Sequence, residues 1–421
     1  MNVKMKWRAI LLAAVMSVWP MARAAPEPAR PTQLEVLHFW TSGGESLALG
    51  QLKAIVSRQG VQWRDLAVSG GAGDNAKTAL KSRILSRNAP AAAQMNMPAI
   101  AEWGREGVLG NLDALAVAGN WDAILPAAIA HGMKYQGHYV AVPVDVHRIT
   151  TMFVNPDVFA KAGAAVPASW DEFFVAAERI ERAGMLPIAH GGQPWQDVVL
   201  FQAVALGVGG PAFYRQALVR LDQRALGSAT MLKVLDQFAR LRRYIDKDAP
   251  GRDWNVATGM VMTGKAGMQI MGDWAKGEFA AAGKRPGIDY LCLPAPGTAG
   301  AFMFQADAFA FFQTRSRPVA RAQSVMAGAI LKPSFQRTFN IAKGAIPVHT
   351  GVSPEGFDSC AQRAMSDMRH ADRAGTLIPG LGMVANSSQE GAIADVITEF
   401  MNTDMSSLTA RTALAKAALE R

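Results

Sequence analysis

The chain has 421 residues, half of them hydrophobic, and 43 basic against 34 acidic side chains give a formal net charge of +9. No basic stripe with interleaved stacking aromatics accompanies that charge, which argues against a nucleic-acid-binding protein. Two cysteines, Cys292 and Cys360, are too few for a disulfide framework, and neither belongs to a C-x-x-C pair.

Residues 1–24 read as a cleavable secretory signal peptide. Lys4, Lys6 and Arg8 make a positive start, residues 9–18 are apolar, and Ala22-Arg23-Ala24 supplies an A-x-A cleavage site. The apolar run is too short for a membrane span, and no later run approaches the ~18 apolar residues that a span needs. The expectation is an exported, periplasmic protein. Removing the peptide takes away four cations and no acid, so the charge falls to +5 over 397 residues. That length holds two or three domains of roughly 100–200 residues. PEPARP (26–31) reads as an extended leader. Export permits a bond between Cys292 and Cys360; two buried thiols acting as small apolar side chains is the equally open alternative.

From residue 34 the chain alternates strand and helix. Residues 34–40 form a strand ending in His38-Phe39-Trp40, then Thr41-Ser42-Gly43-Gly44 turns into a helix over 45–59, with Leu49, Leu52, Ile55 and Val56 on one face. An apolar run at 63–68 meets the turn 69–73, and a helix follows over 75–86. Strand, glycine turn and helix, repeated, predict a parallel α/β sheet. Residues 137–156 read as two strands joined by an extended crossing, and Asn155-Pro156-Asp157 caps the next helix. Helices are expected over 169–183, 195–206 and 229–244. Strands are expected at 266–271, in GIDYLCLPAPG and at 307–313, and the final ~25 residues form an alanine-rich helix. No fixed-period repeat is present.

Gly71-x-Gly73-x-x-Ala76 formally matches a dinucleotide fingerprint, but no acid lies between Asp74 and Glu102 to hold a ribose. No nucleotide or other cofactor is expected. There is no G-x-S-x-G elbow, no H-E-x-x-H and no clustered Cys or His with zinc spacing. Of seven scattered histidines, His147 beside Arg148 is the one to watch. The informative pattern is a set of Trp, carboxylate, Gln and Lys at turns: Trp40, Glu45, Gln94, Trp274, Asp307 and Lys343. A sugar has an apolar face of C–H groups and a hydroxyl rim. Aromatic plates match the face, carboxylates and amides accept from the rim, and a lysine donates to it.

Several stretches together carry a family resemblance: FWTSGGE, GGAGDNAKTALKSR, VPVDVHR, PASWDEF, MGDWAKGE, PAPGTAGAFM and FNIAKGAIP. From about Leu34 to the end, the chain resembles a bacterial extracellular solute-binding protein of the carbohydrate-importing ABC systems, most closely the periplasmic glucose/mannose-binding branch. The resemblance implies a two-lobed α/β periplasmic-binding-protein fold of type II with discontinuous lobes joined by a hinge. Lobe 1 would comprise 33–142 and 303–347, and lobe 2 would comprise 143–302 and 348–421, with crossings near Pro143, Gln305 and Pro347. It implies that Trp40 stacks on the sugar with Phe39 beside it, that Glu45 accepts from hydroxyls, and that Gln94 supplies an amide. Trp254 and Trp274 would wall the pocket from lobe 2, and Asp307 and Lys343 would bind hydroxyls. Many relatives carry Trp where Phe39 stands, a basic or His residue at Asn96, and a His where Pro379 precedes Gly380. Both the Asn96 and Pro379 positions bear on specificity.

The resulting expectation is a monomeric non-enzyme that captures a glucose-like monosaccharide or small oligosaccharide and delivers it to an ABC permease. A chemoreceptor is a possible further partner. The rival is an exported glycoside hydrolase, for which Glu45 and Asp307 would be the carboxylate pair.

Overall fold

The structure is a computed structural model that describes residues 32–70 and 73–420. The signal peptide and leader expected over residues 1–31 lie outside the described residues, as do Gly71 and Ala72 of the glycine turn. Three strand–helix units open the described chain: β1 (Thr32–His38) and α1 (Gly43–Arg58), β2 (Val61–Ala67) and α2 (Asp74–Leu85), β3 (Ala92–Met95) and α3 (Met97–Arg105). Local chemistry sets these starts. Ser42 and Glu45 form a capping box on α1, and Asn96 caps α3 with Pro98 in its first turn.

The middle of the chain supplies β4 (Ala141–Pro143), β5 (His147–Arg148), β6 (Thr151–Val154), α4 (Trp170–Arg182), β7 (Leu186–Ile188), α5 (Pro194–Tyr214), α6 (Ala229–Leu241), α7 (Trp254–Met262), β8 (Ala266–Met271), α8 (Ala275–Ala281) and β9 (Leu291–Pro294). The last part adds β10 (Phe302–Gln305), β11 (Ala308–Phe311), α9 (Arg317–Ile330), α10 (Pro333–Lys343), α11 (Ser359–Arg373), β12 (Leu377–Pro379), α12 (Ser387–Asn402) and α13 (Ser407–Ala417).

Two main sheets result. The first runs β2-β1-β3-β11-β4, with β1 parallel to β2 and β3, and β11 antiparallel to β3 and β4. The second runs β9-β6-β8-β7, and a small third sheet, β12-β10-β5, lies where the chain passes between them. Each main sheet has its own core. Leu34, Val36, Phe309 and Phe339 belong to the first, and Phe153, Phe173, Phe201 and Phe279 to the second. The chain leaves the first sheet after β4 and returns to it between β10 and β11. A third passage is held to the first crossing, because Val146 and Ile346 exchange both backbone hydrogen bonds, at 2.9 and 3.0 Å. α5 is apolar all round over Val198–Leu206 because that part is buried in the second core, and its helical course breaks at Gly210, where φ is 76°.

Two expectations need correction. The second lobe was drawn to include all of 348–421, yet Val348, Val352 and Phe357 belong to the first core, and α11 packs Ala361, Ala364, Met365 and Met368 against that core as well. An amphipathic period marks an apolar face without saying which sheet receives it. The expected single terminal helix of ~25 residues is broken: Thr403 is extended, and Ser406 caps a separate α13. Cys292 of β9 and Cys360 of α11 form a disulfide with a Cα–Cα distance of 6.1 Å, resolving the alternative left open above.

Candidate functional site

The opening strand delivers its aromatics to the end of the sheet where open α/β folds keep ligands. His38 is buried and bonds Asp65 through Nε2 at 3.0 Å, so it braces β1 on β2. Phe39 is half-buried, and its N–H donates to Gln94 Oε1 at 3.2 Å. Trp40 is 2% exposed; it packs edge-on to Phe309 at 5.6 Å and tilted to Phe339 at 5.4 Å. The Lys343 ammonium stands 5.5 Å over the Trp40 ring. These neighbours leave the indole little open face. What it does present is a buried Nε1 with no hydrogen-bond partner among the described residues, a condition shared by Gln94 Nε2.

Glu45 has a double duty. Its Oε2 accepts from the N–H groups of Thr41 and Ser42 at 3.0 and 3.1 Å, and its Oε1 lies 3.6 Å from Lys343 Nζ. Burial disfavours the Lys343 ammonium, but Glu45 and Asp307, with Asp145 and Asp273 behind them, outweigh that and hold its pKa above the ordinary value. Lys343 therefore stays charged in a buried site.

The second sheet contributes the turn after β8. Asp273 is 4% exposed; its carboxylate accepts from Arg148 N–H at 3.1 Å and meets His147 Nδ1 at 2.6 Å. Trp274 stands edge-on to His147 at 5.1 Å and 6.1 Å from Trp195 at the start of α5. Trp254 opens α7, half-buried, and its carbonyl accepts from Gln269 Nε2 at 3.2 Å. Trp195 rather than Trp254 is thus the aromatic neighbour given to Trp274. The sequence reading used Trp195 only to start a helix.

Asp145 and His147 come from the first crossing, and Asp307 from the return. Asp145 is 0%, His147 1% and Asp307 6% exposed. Burial raises the Asp145 carboxyl pKa, since neighbouring His147 only partly offsets it. Burial would raise Asp307 as well, yet His147 and Lys343 prevail and hold it below the usual carboxylate range. Burial disfavours the His147 imidazolium, but Asp145 and Asp273 outweigh it and hold the group well above its ordinary value. The residue types at Asp145-x-His147 were visible in VPVDVHR. Nothing local showed that Asp307, 160 residues on, would face them.

Asn96 sits differently from expectation. Its Oδ1 accepts from Ala99 N–H at 3.2 Å and its Nδ2 donates to Gly382 O at 2.9 Å, so both ends of its amide are engaged by protein. Pro379 joins Met97, Pro98, Phe304 and Met383 around a separate groove of about 370 Å³. Trp40, Glu45, Gln94, Asp307 and Lys343 converge, then, with Asp273 and Trp274 close by, whereas the Asn96 amide is taken up by Ala99 and Gly382 and Pro379 lines the separate groove.

Comparison with known proteins agrees with this architecture. The family model for bacterial extracellular solute-binding proteins matches residues 51–328. A probable sugar-binding periplasmic protein of Brucella suis is 45% identical over 376 residues, covering 89% of each chain. Its counterpart in Rhizobium meliloti is 43% identical over 408 residues, covering 96% of this chain and 97% of its own. Among solved structures, a chitin oligosaccharide binding protein superposes with a TM-score of 0.78 at 16% identity, over 92% of this chain and 98% of its own. The fold is therefore the two-lobed type II arrangement, and the chain belongs to the bacterial extracellular solute-binding proteins.

Proposed function

We propose that this chain is the periplasmic substrate-binding component of an ABC sugar importer, holding a glucose-like monosaccharide or small oligosaccharide between its lobes and delivering it to a membrane permease. The observation that carries this reading is the buried convergence of Trp40, Gln94, Asp307 and Lys343, with two donors, Trp40 Nε1 and Gln94 Nε2, that have no hydrogen-bond partner among the described residues. A buried polar group without a partner costs about 1–3 kcal/mol, which a ligand hydroxyl would recover. The names of the close relatives, probable sugar-binding periplasmic proteins, support the same ligand class.

The geometry refines the roles. Trp40 acts chiefly as an indole N–H donor, because its faces meet Phe309, Phe339 and Lys343. Trp274, flanked by Trp195, is the better plate for a sugar face. Lys343 donates to hydroxyls, and Asp307 and the free edge of Glu45 accept. Ligand contacts to both lobes form only when the lobes close, so binding shifts an open–closed equilibrium. The chain works as a monomer and performs no chemistry on the sugar.

A thermal-shift screen of the mature chain against glucose, mannose, galactose, xylose and common disaccharides tests the proposal. A sugar at 100 times its dissociation constant adds about 2.7 kcal/mol to folding. One sugar should raise the melting temperature by several degrees and be recovered unaltered. No response to any sugar would overturn the ligand class.

A further inference from the structure

We propose that Asp145, His147 and Asp307 form a binding site for a divalent transition-metal ion of zinc type, which pins together two of the crossings between the lobes. Their donor atoms lie within 4.8 Å of one another. His147 Nε2 is 3.4 Å from Asp145 Oδ2 and 3.7 Å from Asp307 Oδ2. Neither His147 Nε2 nor Asp145 Oδ2 has a hydrogen-bond partner among the described residues, although both side chains are at least 99% buried. His147 Nε2 and Asp145 Oδ2 thus face each other at ion-pair range across a space that Asp307 Oδ2 also borders.

The spacing suits an ion. A tetrahedral metal with bonds of ~2.0–2.1 Å to nitrogen and oxygen holds its ligand atoms roughly 3.3 Å apart. Magnesium and calcium prefer an all-oxygen shell with more ligands, so one imidazole and two carboxylates favour zinc or a similar ion. Three protein ligands would leave the fourth position open.

The surroundings are those a metal-bound histidine uses. Asp273 holds His147 Nδ1 at 2.6 Å, which fixes the ring and directs its Nε2 lone pair inward. Asp145 Oδ1 accepts from Asp307 N–H at 3.1 Å, so one oxygen is anchored and the other is free. Charge agrees: Glu45, Asp145, Asp273 and Asp307 all act on Lys343, while Arg148 is paired with Asp367 at 2.6 Å and Lys276 with Asp358 at 2.8 Å. A proton on His147 Nε2 is the rival occupant, and it excludes a metal at that atom.

The site does not depend on the sugar reading; only Asp307 is common to both. The test uses the tag-free mature chain, dialysed and titrated with zinc chloride by calorimetry, and with cobalt(II) by visible absorption. The expected result is one ion per chain, four-coordinate cobalt bands, and a melting temperature raised by zinc. Asp145→Asn keeps the acceptor for Asp307 N–H and should abolish the zinc response, as should His147→Gln. No stoichiometric ion, or a zinc response unchanged in both variants, would overturn the proposal and leave His147 as an imidazolium between carboxylates. Running the sugar screen on the same samples separates the two claims, since a failed sugar response leaves the cobalt spectrum unaffected.

Discussion

The two halves of the molecule meet along two edges built on different principles. On one, α8 of the second lobe lies against α1 and α10 of the first with almost no side chain between. A Cβ on Gly44 would stand 2.7 Å from the Gly277 carbonyl carbon, and one on Gly277 would stand 2.9 Å from Lys343 O. Gly44 N–H donates to Glu278 at 2.8 Å across this contact. On the other edge, long polar side chains make the bridge. Lys77 meets Glu390 at 2.9 Å, and Glu102 takes both the N–H and the hydroxyl of Ser387. Backbone packing defines one separation and tolerates no added atom, whereas ion pairs stretch, rearrange and are screened. The glycine edge lies beside Lys343, Asp273 and Trp274, so it is the edge that sets how closely the proposed ligand groups converge.

The covalent link outside both edges should give the largest effect if broken. The disulfide ties α11, packed on the first core, to β9 of the second sheet across 68 residues of chain. Replacing Cys292 and Cys360 together by serine should remove about 4 kcal/mol, read as a lowered urea midpoint. An unchanged midpoint would show that the bond constrains nothing.

Gly277→Ala comes next. It should weaken the sugar found in the screen by roughly ten- to hundredfold, from an overpacking cost of about 1–3 kcal/mol felt only when the lobes close. The melting temperature without sugar should hardly move. A fall in that baseline instead would mean that the contact persists in the open form and is structural.

Lys77→Met should do least. Both partners of the Lys77–Glu390 pair are about one-third exposed, so its loss should cost below about 1 kcal/mol and matter less at high salt. A tenfold loss of affinity would reverse the ranking of the two edges.

Much of this molecule was legible in the sequence, and the remainder fails for specific reasons. The β1–α1 unit announced itself through alternating apolar residues, Ser42 and Glu45, and the β2–α2 unit through its glycine turn, because caps and turns are local. α9 and α10 went unnoticed behind Pro318 and Pro333, which sit in their first turns, where proline is accepted rather than disruptive. At the site, residue types pointed to Trp40, Glu45, Gln94, Trp274, Asp307 and Lys343. The division of labour among them did not show. That Trp40 would be walled by Phe309 and Phe339, that Asn96 would be a helix cap engaged at both ends, and that Trp195 would flank Trp274 are long-range packing outcomes. Only the convergence of distant segments creates them.

The most direct test is a crystal structure of the mature chain with the sugar identified in the screen. The account predicts the sugar within hydrogen-bond distance of Trp40 Nε1, Gln94 Nε2, Asp307 and Lys343, with its apolar face against Trp274. A sugar seated instead in the groove of Met97, Pro98 and Pro379, leaving Trp40 and Gln94 without partners, would contradict it.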